Sequence, residues 1–375
     1  MRVDIIAGAR PNFVKIAPII RAIDARSATG PVRYRLVHTG QHYDAQMSGD
    51  FFEQLGIPAP EVNLEVGSGS HAEQTAAIMT RYERLLVDSR SDLCLVVGDV
   101  TSTMACAIAA RKLGVPVAHV EGGIRSGDWT MPEEINRVVT DSITNYFFTT
   151  SATANNNLRC SGVPPESIFF VGNTMIDSLL ANLERLRRPA CWDQLGLRDG
   201  HYIVLTLHRP ANVDEEQKLA AMLDAIVTCS RDLPVVFPVH PRTAKTLRAM
   251  AGQTAKICLV DPQPYLEFNY LVRRAKAVVT DSGGVTEEAT VMGVPCMTLR
   301  DSTERPETVT VGTNELLGTD PSALAPAFER LFAGGWKKGG IPEKWDGRAS
   351  ERIAEILETI ATEPDTRTMM RSVVR

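Results

Sequence analysis

The chain has no apolar run near the roughly 20 residues that a membrane-spanning helix requires. It has no C-x-x-C pair: its seven cysteines, Cys94, Cys106, Cys160, Cys191, Cys229, Cys258 and Cys296, are scattered and odd in number. Most lie in apolar runs and read as reduced core thiols of a cytoplasmic protein. Neither a disulfide framework nor a metal site is implied. G-x-G-x-x-G is missing after the first strand, where Gly8-Ala9-Arg10-Pro11 stands instead, and G-x-x-x-x-G-K-[ST] is missing altogether. A dinucleotide cofactor and a Walker-type nucleotide site therefore lack sequence support. The chain lacks short-period repeats and low-complexity tracts. Its net charge of -5, with 23% charged residues, calls for no nucleic-acid partner. The one short basic run, Arg185-Leu186-Arg187-Arg188, falls where a helix would end and reads as a solvated face. Met1-Arg2-Val3-Asp4 enters a strand directly, which argues against a signal peptide.

What is present is an alternation of short apolar strands with longer amphipathic helices. Strands are expected over 3–7, 34–38, 93–97, 115–120 and 146–149, and then over 202–207, 235–239, 257–260, 277–280 and 296–299. Strands this apolar, separated by helices of ten or more residues, imply parallel sheets covered on both faces. A length of 375 residues exceeds one ordinary core, so two such sets imply two doubly wound, Rossmann-like α/β domains. The join is expected near Gly172-Asn173-Thr174 or within 189–199. We place the domains at 1–171 and 172–348, with a late helix beginning at 349. In the first helical pattern, over 13–24, Pro11 suits the first turn, and Pro18 predicts a kink or a late start.

In open α/β sheets ligands bind beyond the carboxyl ends of the strands. The richest of these ends is Thr280-Asp281-Ser282-Gly283-Gly284-Val285-Thr286-Glu287-Glu288. Two glycines at a strand-to-helix turn allow close backbone approach, and the helix N-terminus offers N–H groups to an anion. Glu288, one turn in, is placed to reach ribose hydroxyls. Other strands end at Gly98-Asp99, Glu121-Gly122-Gly123, His208-Arg209, His240-Pro241-Arg242 and Asp261-Pro262-Gln263. The loop after Glu121 leads to Glu133-Glu134 at a helix start. Taken singly, each has a plain alternative: Asp99 as a helix cap, Glu133 and Glu134 as complements to a helix dipole, His208 as a satisfied loop histidine. Taken jointly, strand after strand ends in a charged or imidazole side chain. That is the layout of a cleft with carboxylates on one wall and a phosphate site on the other.

These motifs resemble the non-hydrolysing UDP-N-acetylglucosamine 2-epimerase family nearly end to end. The carriers are Gly8-Ala9-Arg10-Pro11 with Lys15, Gly98-Asp99, His119-Val120-Glu121-Gly122-Gly123-Ile124-Arg125 and Met131-Pro132-Glu133-Glu134-Ile135-Asn136-Arg137. They continue through Gly172-Asn173-Thr174, Leu207-His208-Arg209-Pro210, Pro238-Val239-His240-Pro241, Thr280-Asp281-Ser282-Gly283-Gly284 and Arg300-Asp301-Ser302-Thr303-Glu304-Arg305-Pro306-Glu307. The resemblance implies a glycosyltransferase-B type fold, with a C-terminal segment, 349–375, that crosses back to the first domain. It implies a homodimer and no cofactor. The implied reaction eliminates UDP across C1–C2 and adds it back, with protonation of C2 from the other face. Asp99, Glu121 and Glu133 are then the candidate catalytic carboxylates, with His208 assisting. Arg10, Lys15 and Arg209 would bind substrate. Ser282, Gly283, Gly284 and Arg305 would hold phosphate, Glu288 the ribose, and Gln263 and Phe268 the uracil. Asn12 stands where many relatives carry Glu, and Gly122-Gly123 replaces Ala-Gly. The region after the second strand lacks the longer Gln- and Arg-rich segment of activator-using relatives, which leaves Gln41 and Gln46 for an activator site.

Two sibling activities share much of this pattern: epimerisation of UDP-2,3-diacetamido-2,3-dideoxy-glucuronate, and glycosyl transfer from a UDP-sugar. A non-catalytic UDP-sugar sensor is a third alternative. The three carboxylates argue against transferase and sensor, and Glu304-Arg305-Pro306-Glu307 favours the UDP-N-acetylglucosamine branch.

Overall fold

The structure, a computed structural model, describes residues 1–40, 52–213, 215–239, 247 and 257–362. Gln41, Gln46, His240 and Arg242 lie outside the described residues. The chain forms two compact units, Met1–Ala181 with Glu343–Arg375, and Asn182–Pro342.

Among the described residues the first unit forms a seven-stranded sheet in the order β3-β2-β1-β4-β5-β6-β7. Its strands are β1 (Arg2–Ala7), β2 (Arg33–His38), β3 (Val62–Asn63), β4 (Leu93–Val97), β5 (Val117–Val120), β6 (Tyr146–Thr149) and β7 (Ile168–Phe170). Every pairing is parallel. β4 and β5 are wholly buried, as expected of strands covered by helices on both faces. The order reverses between β1 and β4, and in open α/β sheets such a switch point, at the carboxyl ends of the strands, is where ligands bind. Three helices start there: α1 (Arg10–Arg26) after β1, α2 (Thr101–Lys112) after β4 and α3 (Pro132–Ile143) after β5.

Pro18 does not delay α1, which begins at Arg10 and runs through it. Proline has no N–H for the carbonyl four residues back, here Val14. The Ser178 hydroxyl donates to that oxygen instead, so the lost ladder bond is replaced. The helix Ala349–Thr362 packs on α1, where Arg26 pairs with Glu355 at 2.7 Å and Glu358 at 3.1 Å. Its N-terminus is held by the buried Asp177, which accepts from the Ala349 and Ser350 N–H groups at 3.1 and 2.6 Å. Asp177 lies on the helix Thr174–Asn182. That helix therefore goes with the first unit, beyond the Gly172 boundary read from the sequence.

Among the described residues the second unit forms a six-stranded parallel sheet in the order β10-β9-β8-β11-β12-β13. Its strands are β8 (Ile203–Thr206), β9 (Val235–Pro238), β10 (Ile257–Val260), β11 (Ala277–Thr280), β12 (Cys296–Thr298) and β13 (Asn314–Leu316). The order reverses between β8 and β11. Helices α4 (Tyr265–Arg274) and α5 (Gly283–Val291) start at the carboxyl ends of β10 and β11. No helix among the described residues is long and apolar enough to cross a membrane.

Candidate active site

In the first unit Val97 pairs with Val120, so β4 and β5 end level. Gly98-Asp99 and Glu121 therefore leave the sheet side by side. Gly98 and Glu121 both turn with positive φ, 69° and 72°, and for a glutamate that conformation is strained. The Glu121 carboxylate is buried and meets the buried Lys15 ammonium at 2.7 Å. Lys15 reaches it from the second turn of α1, held in place by the Gly8–Pro11 turn. Asn12 fixes that turn: its Oδ1 accepts from Gly8 N at 3.0 Å and Ala9 N at 3.1 Å, and its Nδ2 donates to Val97 O at 2.9 Å. Gly8 has no room for a side chain, since a β-carbon would lie 2.3 Å from Ser102 Oγ.

Asp99 is held from α3. Arg137 donates to its carboxylate, and Asn136 Nδ2 donates to its carbonyl at 2.8 Å. Arg137 also binds the buried Glu134 at 2.9 Å. Glu134 accepts the N–H groups of Ser126 and Gly127 at 2.9 and 3.0 Å, which shapes the loop between β5 and α3. Burial works to raise the Glu134 carboxyl, but these donors and Arg137 hold it below the usual glutamate value. The neighbouring Glu133 is solvent-exposed. The two adjacent glutamates thus divide: Glu134 is tied into the scaffold and Glu133 is turned outward.

Behind these groups lies a contact that the sequence reading passed over. His119, fully buried in β5, lies 2.7 Å from Asp141 Oδ1 through Nδ1 and 2.8 Å from the Gly98 carbonyl through Nε2. Asp141 also accepts from Gly123 N at 2.9 Å and Arg125 Nη1 at 2.6 Å. Burial pushes Asp141 up, and His119 and Arg125 outweigh it, so the carboxyl is held below its ordinary range. Glu134, Arg137 and Asp141 recur at spacings of three and four, one face of a helix, which is the signal that would have found them.

In the second unit the hub is Asp281, at the end of β11 and fully buried. Thr206 and Thr280 pair in register, so the loop after β8 lies beside it. Asp281 accepts from the N–H groups of His208 and Arg209 and from Asn212 Nδ2, the latter two at 3.0 Å, and its Oδ1 lies 2.7 Å from His208 Nδ1. Burial works to raise this carboxyl, but His208, Asn212 and Arg209 hold it below the usual aspartate value. The His208 ring is left largely exposed, 61% of its side chain, so it is oriented yet accessible.

Ser282 is the N-cap of α5 and makes no side-chain cap bond, and Gly283 and Gly284 open the helix. Ser282 N–H donates to Thr280 Oγ1 at 3.0 Å, while the N–H groups that open a helix have no intrahelical acceptor, the arrangement that suits an anion. Beside it runs a chain of ion pairs: Arg209 to Glu304 at 3.4 Å and Glu304 to Arg300 at 2.7 Å, with Arg305 on the buried Glu287. Glu288 is buried, with Asn269 Nδ2 3.3 Å from its Oε1. Burial pushes its carboxyl up to about 7 against the opposing hydrogen bonds of Tyr265 and Asn269. Gln263 is half-buried, its amide donating to Asp261 O at 2.7 Å. Phe268 packs against the core of the second unit. Arg10 is the first residue of α1, and its side chain lies outside the described part. His38 and His42 stand at H-x-x-x-H spacing. His38 Nδ1 accepts from Gly40 N at 3.0 Å, and His42 lies outside the described residues. Among the described residues no group of three His, Cys, Asp or Glu is placed to hold a metal ion.

Two doubly wound units, one with carboxylates and the other with a glycine-opened helix N-terminus at its switch point, make up a fold of the glycosyltransferase-B type. The family model described as UDP-N-acetylglucosamine 2-epimerase matches residues 24–358, and the chain belongs to that family. The UDP-N-acetylglucosamine 2-epimerase of Methanocaldococcus jannaschii is 41% identical over 95% of this chain and 99% of its own. The UDP-2,3-diacetamido-2,3-dideoxy-D-glucuronate 2-epimerase of Pseudomonas aeruginosa is 39% identical, again over 95% and 99%. The crystal structure of the Methanocaldococcus jannaschii enzyme in complex with UDP-GlcNAc and UDP superposes with a TM-score of 0.86 at 40% identity, covering 96% of this chain and all of that one.

Proposed function

We propose that this protein interconverts UDP-N-acetylglucosamine and UDP-N-acetylmannosamine. The observation that carries the reading is the buried Lys15–Glu121 pair beside the Asp99–Arg137 pair, at the level ends of β4 and β5. A C2 proton that is not next to a carbonyl cannot leave by simple enolisation. Elimination solves this: a base takes the C2 proton, the C1–O bond breaks with its electrons going to UDP, and a 2-acetamidoglucal forms. Re-addition reverses both steps, with the proton delivered to the other face of C2. That requires acid–base groups on two faces of the ring, and Asp99, Glu121 and Glu133 supply them. Lys15 and Arg10 offset charge on the departing diphosphate. The α5 N-terminus at Ser282, Gly283 and Gly284, with Arg209 and Arg305, binds the phosphates. His208, oriented by Asp281, serves the same end of the substrate. Glu288 takes the ribose, and Gln263 with Phe268 flanks the base.

Proton NMR of UDP-N-acetylglucosamine with the protein in deuterated buffer, without NAD or acceptor, tests this. UDP-N-acetylmannosamine carrying deuterium at C2 is the expected product, and silence refutes the reading. The same assay with the diacetamido-glucuronate nucleotide answers the second reading, which the 39% identity to the Pseudomonas relative fits without outweighing the first. We also propose a homodimer, checked by light scattering. A reducing compartment such as the cytoplasm suits cysteines that are all free thiols.

A further inference from the structure

His119 has no part in the chemistry above, yet it joins the elements that carry that chemistry. Its ring is fully buried between two acceptors, the Gly98 carbonyl at 2.8 Å and Asp141 at 2.7 Å. Gly98 is the residue before Asp99, and its φ of 69° makes the turn at the end of β4. Asp141 stands on α3, the helix whose Arg137 and Asn136 hold the Asp99 carboxylate and carbonyl. Asp99 is therefore gripped twice, directly by α3 and through Gly98 and His119 by the same helix. The charged groups around this link are Asp141 and Arg125 on one side and the Lys15–Glu121 pair on the other. The latter lies so near that a β-carbon on Gly98 would stand 3.1 Å from Lys15 Nζ. A buried carbonyl left without its donor carries a desolvation penalty, and a rearrangement at Gly98 that recovers a partner would move Asp99, the next residue.

We propose that His119 is a positioning residue for proton transfer at C2. Its Nε2–H bond to the Gly98 carbonyl aims Asp99, while Asp141 holds the ring in place. The inference rests on the epimerase reading and on Asp99 acting as an acid–base group. Two substitutions separate the two bonds. In His119→Gln the amide nitrogen falls near the former Nε2 and keeps a donor for Gly98. In His119→Asn it falls near the former Nδ1 and keeps only the link to Asp141. Deuterium exchange at C2 of UDP-N-acetylglucosamine is followed in the full-length wild type and both variants, together with KM, UDP affinity and thermal stability.

A displacement of order 1 Å costs about 100-fold in rate, so His119→Asn is expected to lose about that in kcat, and His119→Gln less than about 10-fold. KM and UDP affinity are expected to stay put in both. Equal losses in the two variants, or losses that track the drop in melting temperature, overturn the proposal. If His119→Asn does not fold, Asp141→Asn carries the test. It keeps an oxygen for the ring but loosens its hold, and kcat should fall with KM unchanged. An unchanged kcat there refutes the positioning role. A wild type that shows no exchange refutes the epimerase reading, and this inference falls with it. A wild type that exchanges beside an equally active His119→Asn refutes the positioning role alone.

Discussion

Gly98→Ala should damage turnover far more than stability. Gly98 has φ 69°, a conformation that costs a residue with a β-carbon roughly 1–2 kcal/mol. The new methyl would also stand 3.1 Å from Lys15 Nζ and 3.8 Å from Glu121 Oε2. Lysine is flexible, but this one is held at 2.7 Å on Glu121, so relief moves the pair by a few tenths of an ångström or rotates the turn that carries Asp99. Gly196→Ala isolates the backbone term: Gly196 has φ 60°, and a methyl group there would meet no atom within 4 Å. Both variants should lose roughly 1–2 kcal/mol in urea denaturation. Only Gly98→Ala should also lose C2 exchange, by about 100-fold if the carboxylates shift by an ångström. UDP affinity should survive in both, because the proposed phosphate donors, at the α5 N-terminus and at Arg209 and Arg305, lie in the second unit and Gly98 in the first. If Gly98→Ala turns over as fast as Gly196→Ala, the reacting carboxylates are not at this turn.

Lys15→Met should destabilise the fold by about 3–5 kcal/mol, because it leaves the Glu121 charge buried without its cation; calorimetry showing no loss would mean that Glu121 finds another cation. Asp99→Asn or Glu121→Gln should cut turnover by about two orders of magnitude or more at unchanged UDP affinity. Loss of UDP binding, read by calorimetric titration, would make the residue a binding element. Glu288→Gln tests a pH dependence. The folded carboxyl sits at about 7 against an ordinary 4.5, so the native state holds its proton more tightly than the unfolded chain. The contribution to stability is therefore complete below about 4.5 and is lost as pH rises toward about 7. The wild type should lose roughly 3 kcal/mol relative to Glu288→Gln across that window. Denaturation curves at pH 4.5, 6 and 8 that stay parallel would show that burial does not govern this carboxyl.

The sheets were legible because their central strands are short, apolar and followed by charged turns, and the charged ends of β1, β4, β5, β8 and β11 could be read directly from that. The strands that escaped, β3, β7 and β13, are two or three residues long and only partly buried, so they owe their pairing to neighbours more than to their own pattern. The supporting shell was illegible for a different reason. Glu133 and Glu134 are chemically identical in a sequence, and only the phase of α3 turns one out and the other in. His119 reads as one polar residue inside a strand. Its importance comes from Asp141, 22 residues away, and from a carbonyl that a sequence does not display. The same holds for Asp281, whose value lies in pinning His208 and Arg209. A carboxylate that reacts and a carboxylate that holds the reacting one in place look alike in one dimension. Burial separates all but Glu121, which is buried on Lys15: Asp141, Glu134 and Asp281 accept donors on several sides and stay ionised in the interior, whereas Asp99 remains partly open and Glu133 is exposed. Proton transfer needs access to substrate, so among the carboxylates of the first unit the exposed pair should govern the pH profile of exchange. Asp141→Asn and Glu134→Gln should lower its height without moving its limbs.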